Sequence, residues 1–430
     1  MQGKGFGVSK GDALTTLGPW KKGMDNAHPD YELENTFLRD GVNVDVLDSG
    51  RQRRRKGFRT VLSGTEMHSL RYHYGGDFFL LVDAGDFKRY VEDQPGVLTF
   101  QGTLASGYGD RHAPLYYAEI NEELYFSDAV RTGRVLADGS LRAWGVERPA
   151  FQPTLGTVAG GLNPGTYQVA LTYEGYGSEE SGSSDPQTIT VVAGQAIQVS
   201  AIPQPSHPDT GAICVYLSET NGETLYRYGA YPVGTTTVVL SAATTEGRKL
   251  KTFEGYPPPA GKHVEYCLGR MFIAVGNVVF FSDSLWYGLF RLAKNFYLFP
   301  ADVRLMAAVD DGLYVVADRT YFIPGAGDPN SRQQEVRGYS CAERTRVRYV
   351  NAKRNNVAWF GDAGWVIASN GGQLEDPMLN TIAVPRHPEG AAMYREQNGI
   401  KQLIATVRRG TDRSSFVAED FVEGESQRGA

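Results

Sequence analysis

The chain has 430 residues, of which 41% are hydrophobic, 51 are Gly and 21 are Pro, and its formal charge is −6 at pH 7. This length allows two or three domains, and the Gly and Pro residues, spread without a period between short apolar runs, exclude a collagen-like chain and indicate the many tight turns of an all-β protein. The sequence pI of about 5.7 excludes a generally basic nucleic-acid-binding domain, for which a pI above about 9 is usual.

The first two segments predict an arm and then a hairpin. Residues 1–40 are rich in turn-forming residues, so we expect an extended N-terminal arm that lies on other structure. Residues 41–58 read GVNVDVLDSGRQRRRKGF. Val42, Val44 and Val46 alternate with polar residues and therefore share one face of a strand, and the LDSG that follows supplies turn chemistry. The chain then returns through RQRRR, which predicts a β-hairpin.

The return strand of this hairpin carries a concentrated positive charge. A nucleic-acid-binding site would use such a run to neutralise phosphates. Sites of this kind often include aromatic residues that stack on bases, and this run has none. The sequence favours a solvated hairpin edge or a salt-bridged subunit contact over direct contact with DNA. The candidate interface residues are Arg51, Arg53, Arg54, Arg55 and Lys56.

Five later segments share one pattern, in which two or three runs of about five residues are separated by Gly, Asn or Asp turns. Two of the segments align further, as LYFSDAVRTG and VFFSDSLWYG. Small sheets that recur at a spacing of roughly 40 residues are typical of propeller blades. We therefore predict a β-propeller-like domain assembled from residues 41–150 and 260–415. The five segments are 68–93, 116–146, 264–290, 303–325 and 347–372.

A different pattern occupies residues 151–259, between the two propeller parts. Tyr167, Val169, Leu171 and Tyr173 alternate with small or polar residues, and six or seven short strands are expected in this region. Pro-rich joints, VERPAFQPT and EGYPPPAGK, lie on either side of it. These features predict an inserted β-sandwich similar to immunoglobulin or fibronectin type III domains. The polar residues 416–430 are expected to form a flexible tail.

No group of residues stands out as catalytic. A propeller glycosidase needs two carboxylates with separated pKa values, but the candidates occur mostly where hairpin turns belong. The sequence has no nucleophile elbow, phosphate-binding loop or dinucleotide fingerprint. We therefore expect no enzymatic activity and no cofactor. The carboxylate candidates are Asp283, Asp310, Asp311, Asp362 and Glu123.

Cysteine and histidine spacing favours neither a disulfide framework nor a metal site. Cys214, Cys267 and Cys341 are far apart and are expected to be small core residues. None of the seven histidines forms a metal-spaced pair. The N-terminus has no signal-peptide pattern and no run reaches 18 apolar residues, so we expect a soluble chain without a membrane span, folded in a reducing cytoplasm.

The N-terminal segment LGPWKKGMDNAHPDYELENTFLRDGVNVDVLDSGRQRRRKGF resembles the tail tubular protein B, or nozzle, family of short-tailed bacteriophages. The family outline has a Gly-rich start, a Pro-Asp pair, and then Asn-Val-Asp, Gly, Arg-Arg and Gly. The family usually has Pro where this chain has Lys56. The outline falls on Gly18, Pro29, Asp30, Asn43, Asp45, Gly50, Arg54, Arg55 and Gly57.

A second stretch is similar to virion structural proteins of phages and prophages. It runs from AWGVERPAFQP through GTYQVALTYEGYGSEESG to PPPAGKHVEYCLGRMFIAVGNVVFFSDSLWYGLF. Together the two likenesses cover about two thirds of the chain. They imply a β-propeller subunit of a six-membered ring that lies below the portal and adaptor, continues the DNA channel and carries fibres or a plug.

This resemblance implies a non-enzymatic function in the virion, with synthesis in the host cytoplasm. Genomic DNA would pass through the ring without sequence-specific binding, because six copies of an acidic chain give a repulsive lumen. The arginine run would face a neighbouring subunit or the adaptor, where guanidinium groups suit interfacial carboxylates. Two alternatives remain open: a propeller glycosidase or depolymerase that acts on host surface polysaccharide, and a receptor-binding adhesin.

Overall fold

We describe the fold from a computed structural model. Within the described residues the chain is all-β, as predicted, and its strands form nine small antiparallel sheets. The helical segments there are two single 3-10 turns, Tyr176–Ser178 and Asn370–Gly372, and neither has the length that crossing a membrane requires. The structure describes residues 19–408 except 42, 43, 48, 56, 58, 110–112, 243, 244, 352, 353, 384–386, 398 and 399.

The predicted N-terminal hairpin is present. Strand β1 (Val44–Val46) pairs antiparallel with β2 (Gln52–Arg54). Gly50 closes the turn with a φ of 76°, and a Cβ at this position would lie 2.6 Å from the Cβ of Pro19. The left-handed backbone and this close approach both require glycine. The residues before the hairpin lie against the other end of the chain, since the Asn26 amide donates to the Thr381 carbonyl at 2.9 Å.

Two four-stranded sheets follow, each built from consecutive strands that pair with their neighbours in the chain. Sheet A consists of β3 (His68–His73), β4 (Phe78–Asp83), β5 (Asp86–Gln94) and β6 (Val97–Ser106). Sheet B consists of β7 (Tyr116–Ile120), β8 (Glu123–Ser127), β9 (Thr132–Val135) and β10 (Leu141–Arg142).

The next seven strands form two sheets that share one apolar core, and we call them the two-sheet unit. The predicted alternating strand is present in it, since Tyr167, Val169, Leu171 and Tyr173 all lie in that core. One sheet has the order β11-β14-β17 and the other β13-β12-β15-β16. The strands are β11 (Thr154–Ala159), β12 (Gly165–Glu174), β13 (Gln187–Val191), β14 (Gln195–Ser200), β15 (Ala212–Ser218), β16 (Leu225–Pro232) and β17 (Val238–Leu240).

Three more sheets of consecutive strands and a final hairpin complete the described chain. Sheet C has β18 (Lys262–Cys267), β19 (Arg270–Val275), β20 (Val278–Asp283), β21 (Trp286–Phe290) and β22 (Phe296–Leu298). Sheet D has β23 (Leu305–Val309), β24 (Gly312–Val316), β25 (Thr320–Pro324) and β26 (Gln334–Arg337). Sheet E has β27 (Val347–Asn351), β28 (Arg354–Gly361), β29 (Gly364–Ala368) and β30 (Leu374–Glu375). Hairpin F has β31 (Glu389–Gln397) and β32 (Ile400–Arg408).

Sheets A to E and hairpin F pack face to face in the order A, B, C, D, E, F, with an apolar cluster between each neighbouring pair. An aromatic pair lies in each of these contacts, at a centroid spacing at which such rings attract one another. The pairs are Phe87 with Phe126 (5.4 Å), Trp144 with Phe290 (6.1 Å), Phe299 with Tyr321 (5.3 Å), Tyr314 with Trp359 (5.7 Å) and Tyr349 with Tyr394 (5.5 Å).

The chain enters the two-sheet unit after sheet B and leaves it before sheet C. The two connecting segments, which we call the first and the second joint, both contact β21. At the first joint, the Trp144 indole donates to the Tyr287 carbonyl at 2.8 Å. At the second joint, Tyr256 and Phe290 exchange two backbone hydrogen bonds, at 2.9 and 2.8 Å. One strand of sheet C therefore holds the entry and the exit of the unit.

Ion pairs fix the unit against sheet B. Arg134 of β9 is only 4% exposed, and it pairs with Glu123 of β8 at 3.1 Å and with Glu179 of the unit at 3.0 Å. Arg142 of β10 pairs with Asp209 of the unit at 2.8 Å. A charged group as deeply buried as Arg134 needs such partners, so the unit and sheet B constrain one another's orientation.

A buried histidine lies where the first strands of sheets B and C meet. His263 of β18 is 6% exposed, and its ring lies 4.5 Å from the ring of Tyr116 of β7. Burial, reinforced by the positive charges of Lys262, Arg344 and Arg304, lowers the pKa of His263 to about 3. The imidazole is therefore neutral in the folded protein throughout the mildly acidic range.

We predict that His263 makes the fold sensitive to mild acid. Between pH 6.5, its ordinary pKa, and about 3, the unfolded chain binds a proton that the folded chain does not. Stability is therefore lost as the pH falls, by about 1.4 kcal/mol per pH unit. In His263→Asn, which suits the φ of 54° at this position, the free energy of unfolding measured in urea should fall less steeply from pH 6.5 to 4.5. Parallel pH dependences for the two proteins would contradict this assignment.

Candidate functional site

The arginine run predicted from the sequence lies on the N-terminal hairpin, outside sheets A to E. Arg51 and Arg54 are exposed. Arg53 lies opposite Asp45 across the hairpin, with its Nε 3.4 Å from the Asp45 carboxylate. Arg53 is thus paired within the hairpin, whereas the side chains of Arg51 and Arg54 are exposed to solvent.

The last two residues of the predicted run are placed differently. The Arg55 side chain is half-buried, and Lys56 lies outside the described residues. The hairpin is present as predicted, but the subunit contact assigned to its arginines remains a prediction.

The carboxylates weighed as catalytic candidates do not converge on one point. Asp310 and Asp311 form the turn between β23 and β24, as the sequence predicted. Each of the other candidates, and Asp311 itself, accepts a hydrogen bond from a backbone amide or an arginine. These bonds join Asp311 to the Gly371 amide (2.7 Å), Asp283 to Arg291 (2.9 Å), Glu123 to Arg134 (3.1 Å) and Asp362 to the Ser340 amide (3.4 Å).

The first strands of successive sheets instead converge on a cavity that sequence reasoning missed. This central cavity has a volume of about 890 Å³ and is bordered by β3, β7, β18, β27 and β31. A second cavity of about 400 Å³ adjoins it at Tyr266 and Arg348 and reaches β23 of sheet D. The charged residues that border the central cavity are Arg71, Glu119, Glu122, Glu265, Arg346 and Arg348.

Glu119 of β7 joins sheets A and B at the edge of this cavity. Its Oε1 accepts hydrogen bonds from His73 Nδ1 and from the Gly75 amide, both at 2.9 Å, and its Oε2 lies 3.5 Å from Arg71 of β3. Burial alone would raise the pKa of Glu119, but the bonds from His73 and Gly75 and the charge of Arg71 together lower it. Glu119 is therefore an ionised partner in a network rather than a proton donor.

Glu265 of β18 is the most deeply buried carboxylate of the cavity, with 1% of its side chain exposed. It forms ion pairs with Arg346 and Arg348, which enter from sheet E. Arg346 and Arg348 are two residues apart on an extended segment, so both point to the same side of it. Glu265 thus links sheet C to sheet E past the intervening sheet D.

The arrangement favours ion pairing over acid–base catalysis. A glycosidase requires one carboxylic acid that keeps its proton until it reaches the leaving group, and therefore a raised pKa. Glu119 has a lowered pKa, and two guanidinium groups hold Glu265. The chemistry that the cavity offers most directly is the recognition of charge by arginine.

These residues carried a weak signal in the sequence. Arg346, Arg348 and Glu265 occur in the segments RVRYV and HVEYC, in which charged residues alternate with apolar ones. That pattern is also the pattern of a solvent-facing strand. The sequence does not show that the charged face of each first strand turns toward the others.

The cysteine prediction is confirmed, since Cys214, Cys267 and Cys341 are free and buried. Burial raises the pKa of Cys214 and of Cys267 to about 12, which makes both thiols poor nucleophiles. Across the described part of the chain, no three His, Cys, Asp or Glu side chains are grouped so that they could hold a metal ion.

Comparisons with known proteins add little to this description. No protein-family profile matches the chain, and no curated protein matches it. Among solved structures, the computationally designed Ika8 protein is 10% identical over 80% of this chain and 94% of its own, with a TM-score of 0.25. Sqt1 of Saccharomyces cerevisiae is 10% identical over 70% of this chain and 83% of its own (TM-score 0.24). AztD of Citrobacter koseri is 10% identical over 72% and 84% (TM-score 0.27). At such TM-scores these likenesses carry no argument about function.

We predict that the ion pairs of Glu265 contribute to the stability of the folded protein. Glu265→Gln leaves the guanidinium groups of Arg346 and Arg348 without their counter-charge. Because both arginines keep part of their contact with water, we expect a loss of about 1–3 kcal/mol of unfolding free energy. The matched control is Glu335→Gln, because Glu335 pairs with Arg319 at 2.8 Å while both side chains are about half exposed. The control should cost about 0–1 kcal/mol. Equal, small losses in chemical denaturation of the two variants would contradict the prediction.

Proposed function

We propose that the chain is a structural subunit of a bacteriophage tail, a nozzle or hub protein that forms a homo-oligomeric ring and continues the DNA channel. The observation that supports this proposal best is the way in which the sheets are joined. Apolar clusters link every neighbouring pair from sheet A to hairpin F, and ion pairs hold the charged groups between them. Such a body is stiff, which suits a conduit under load better than an enzyme that must open and close.

We further propose that sheets A to E and hairpin F form a β-propeller. Propellers usually consist of four to eight sheets of about four strands around a central channel. Here the first strand of each sheet borders the joined central cavities, which is the place of the innermost strand in a blade. Hairpin F takes the place of a sixth blade with two described strands. The boundaries 41–150 and 260–415 for the two propeller parts belong to this proposal.

The two-sheet unit fits an inserted immunoglobulin-like domain, which we propose spans 151–259. The order β13-β12-β15-β16 corresponds to strands C′, C, F and G of that fold, and the neighbours β11 and β14 correspond to B and E. The unit has no counterpart of strand A among its described strands. Strand β17 takes the edge place of strand D, but it comes last in the chain. In the tail, such a unit would offer a docking surface for fibres or a plug.

The N-terminal hairpin is the proposed contact with a neighbouring subunit or with the adaptor. Its exposed arginines, Arg51 and Arg54, present flat guanidinium forks that suit carboxylates of a partner. The net charge of −6 per chain would keep the lumen of a ring repulsive to DNA, which would then slide through without sequence-specific contacts. On this reading the protein is a virion component made in the host cytoplasm, and it spans no membrane.

One observation favours a second candidate function. Glu119 and Glu265 both border the central cavity, and a pair of carboxylates in a cavity is what a polysaccharide-cleaving enzyme would need. Release of reducing ends from host surface polysaccharide by the purified chain would establish that function. We favour the structural role, because arginines neutralise both carboxylates.

We predict that the purified chain assembles into rings with six-fold symmetry, visible as class averages in negative-stain electron microscopy. The double charge reversal Arg51→Glu/Arg54→Glu should abolish the rings and leave folded monomers, because it turns an attraction for partner carboxylates into repulsion. The matched control is Lys249→Glu/Lys251→Glu, which makes the same change in charge at exposed positions near the two-sheet unit.

The two outcomes separate the parts of the proposal. Rings that persist in the hairpin variant would refute the arginine contact while leaving the ring itself intact. A wild-type chain that stays monomeric, and that is missing from the tail axis of intact virions, would refute the tail function.

A further inference from the structure

Two arginines enter the central cavity from different sheets. Arg71 comes from β3 of sheet A and Arg348 from β27 of sheet E, and both border the cavity of about 890 Å³. The Arg348 side chain is 52% accessible, whereas its partner Glu265 is 1% accessible. The guanidinium group of Arg348 therefore faces the open space of the cavity, behind which Glu265 is enclosed by protein.

The charges deep in the cavity do not balance. Arg71, Arg346 and Arg348 face only Glu119 and Glu265 there, because Glu122, the other carboxylate of the lining, is exposed on the turn after β7. Glu119 also accepts bonds from His73 and the Gly75 amide. Among the described residues of the inner wall, guanidinium groups thus outnumber carboxylates by one.

Three buried polar atoms of this wall lack a hydrogen-bond partner among the described residues. Nε of Arg71 is one of them, and the other two are Oε2 of Glu119 and Oε2 of Glu265. A guanidinium group has five N–H donors in a fixed plane. Arg71 and Arg348 carry like charges and border the same cavity, so the two cations repel one another. An anion placed between them would remove the repulsion by pairing with both guanidinium groups.

The rest of the wall suits an organic ligand. Tyr117, Tyr266, Tyr394 and Met393 border the same space, and Tyr74, at 72% exposure, lies at its mouth. A volume of about 890 Å³ is far larger than a bare phosphate needs and falls within the usual range for small-molecule sites, about 300–1,000 Å³. Aromatic edges beside arginines can bind both the body and the charged group of such a molecule.

We infer that the central cavity binds a small organic anion whose carboxylate or phosphate group lies between Arg71 and Arg348. This inference goes beyond the proposed tail function and does not depend on it, since the site lies inside one chain. The carboxylate and the phosphate both present two anionic oxygens that a guanidinium fork can bind at once.

The test is isothermal titration calorimetry of the full chain with three probes, at matched ionic strength. Glucuronate supplies a ring and a carboxylate, glucose 6-phosphate supplies a ring and a phosphate, and glucose is the uncharged control. We expect saturable binding of at least one charged probe at one site per chain, and no binding of glucose. The probe that binds more tightly identifies the anionic group.

Variants separate a binding role from a structural one. Arg71→Met and Arg348→Met should each weaken binding about tenfold or more, because each removes a charged hydrogen-bonding partner. Glu265→Gln should tighten binding several-fold, because it increases the positive charge that faces the ligand. A purely structural role predicts weaker binding in every variant. Arg348→Lys keeps the charge and serves as the test if Arg348→Met does not fold. It should still bind more weakly than the wild type, because lysine lacks the guanidinium fork.

The control variant is Arg332→Met, on an exposed turn after sheet D's third strand, which should bind as the wild type does. Two results would overturn the inference: no saturable binding of either charged probe to the folded wild-type chain, or equal affinities in the wild type, Arg71→Met and Arg348→Met.

Discussion

A small antiparallel sheet has two faces, and this fold depends on covering both of them. Each sheet is apolar on faces that it cannot bury by itself, so it needs a second layer to cover them. Each sheet from A to E therefore relies on its neighbours, and the aromatic pairs at every contact show how the faces are filled. Stability is shared along the series, so damage to one contact weakens the two sheets beside it.

The same constraint explains the charged centre. The first strands of sheets A to E and of hairpin F border two adjoining cavities, and the side chains that point into this space have no sheet to cover them. Polar and charged residues are suited to such a position only if they find partners. Glu119 and Glu265 form ion pairs with arginines of other sheets. The charged residues around the cavity therefore connect the sheets to one another.

Much of this organisation could be predicted from the sequence, because it is local. The alternation of Val44 and Val46, the Asp310-Asp311-Gly312 turn and the run Tyr167 to Tyr173 each depend on residues within ten positions, and all three predictions are confirmed. Strand periodicity also placed the five repeated segments on sheets A to E.

The central cavity could not be predicted in this way. Arg71 and Arg348 are 277 positions apart in the sequence, and their proximity depends on how sheets A and E are arranged in space. The arginine run at 51–55 is visible in the sequence because its charge is concentrated within a few positions. The cavity arginines are single residues on separate strands, and only the packing of the sheets concentrates their charge.

The attachment of the two-sheet unit has an evolutionary consequence. Because the chain leaves near Tyr287 and returns at Phe290, the ends of the inserted segment lie against the same short strand, and the sheets on either side already contact each other through Trp144 and Phe290. A lineage can therefore exchange this module for another, or shorten it to a loop, without rebuilding the body that carries it. Variation in sequence and size would then accumulate at this one site, while the scaffold stays the same.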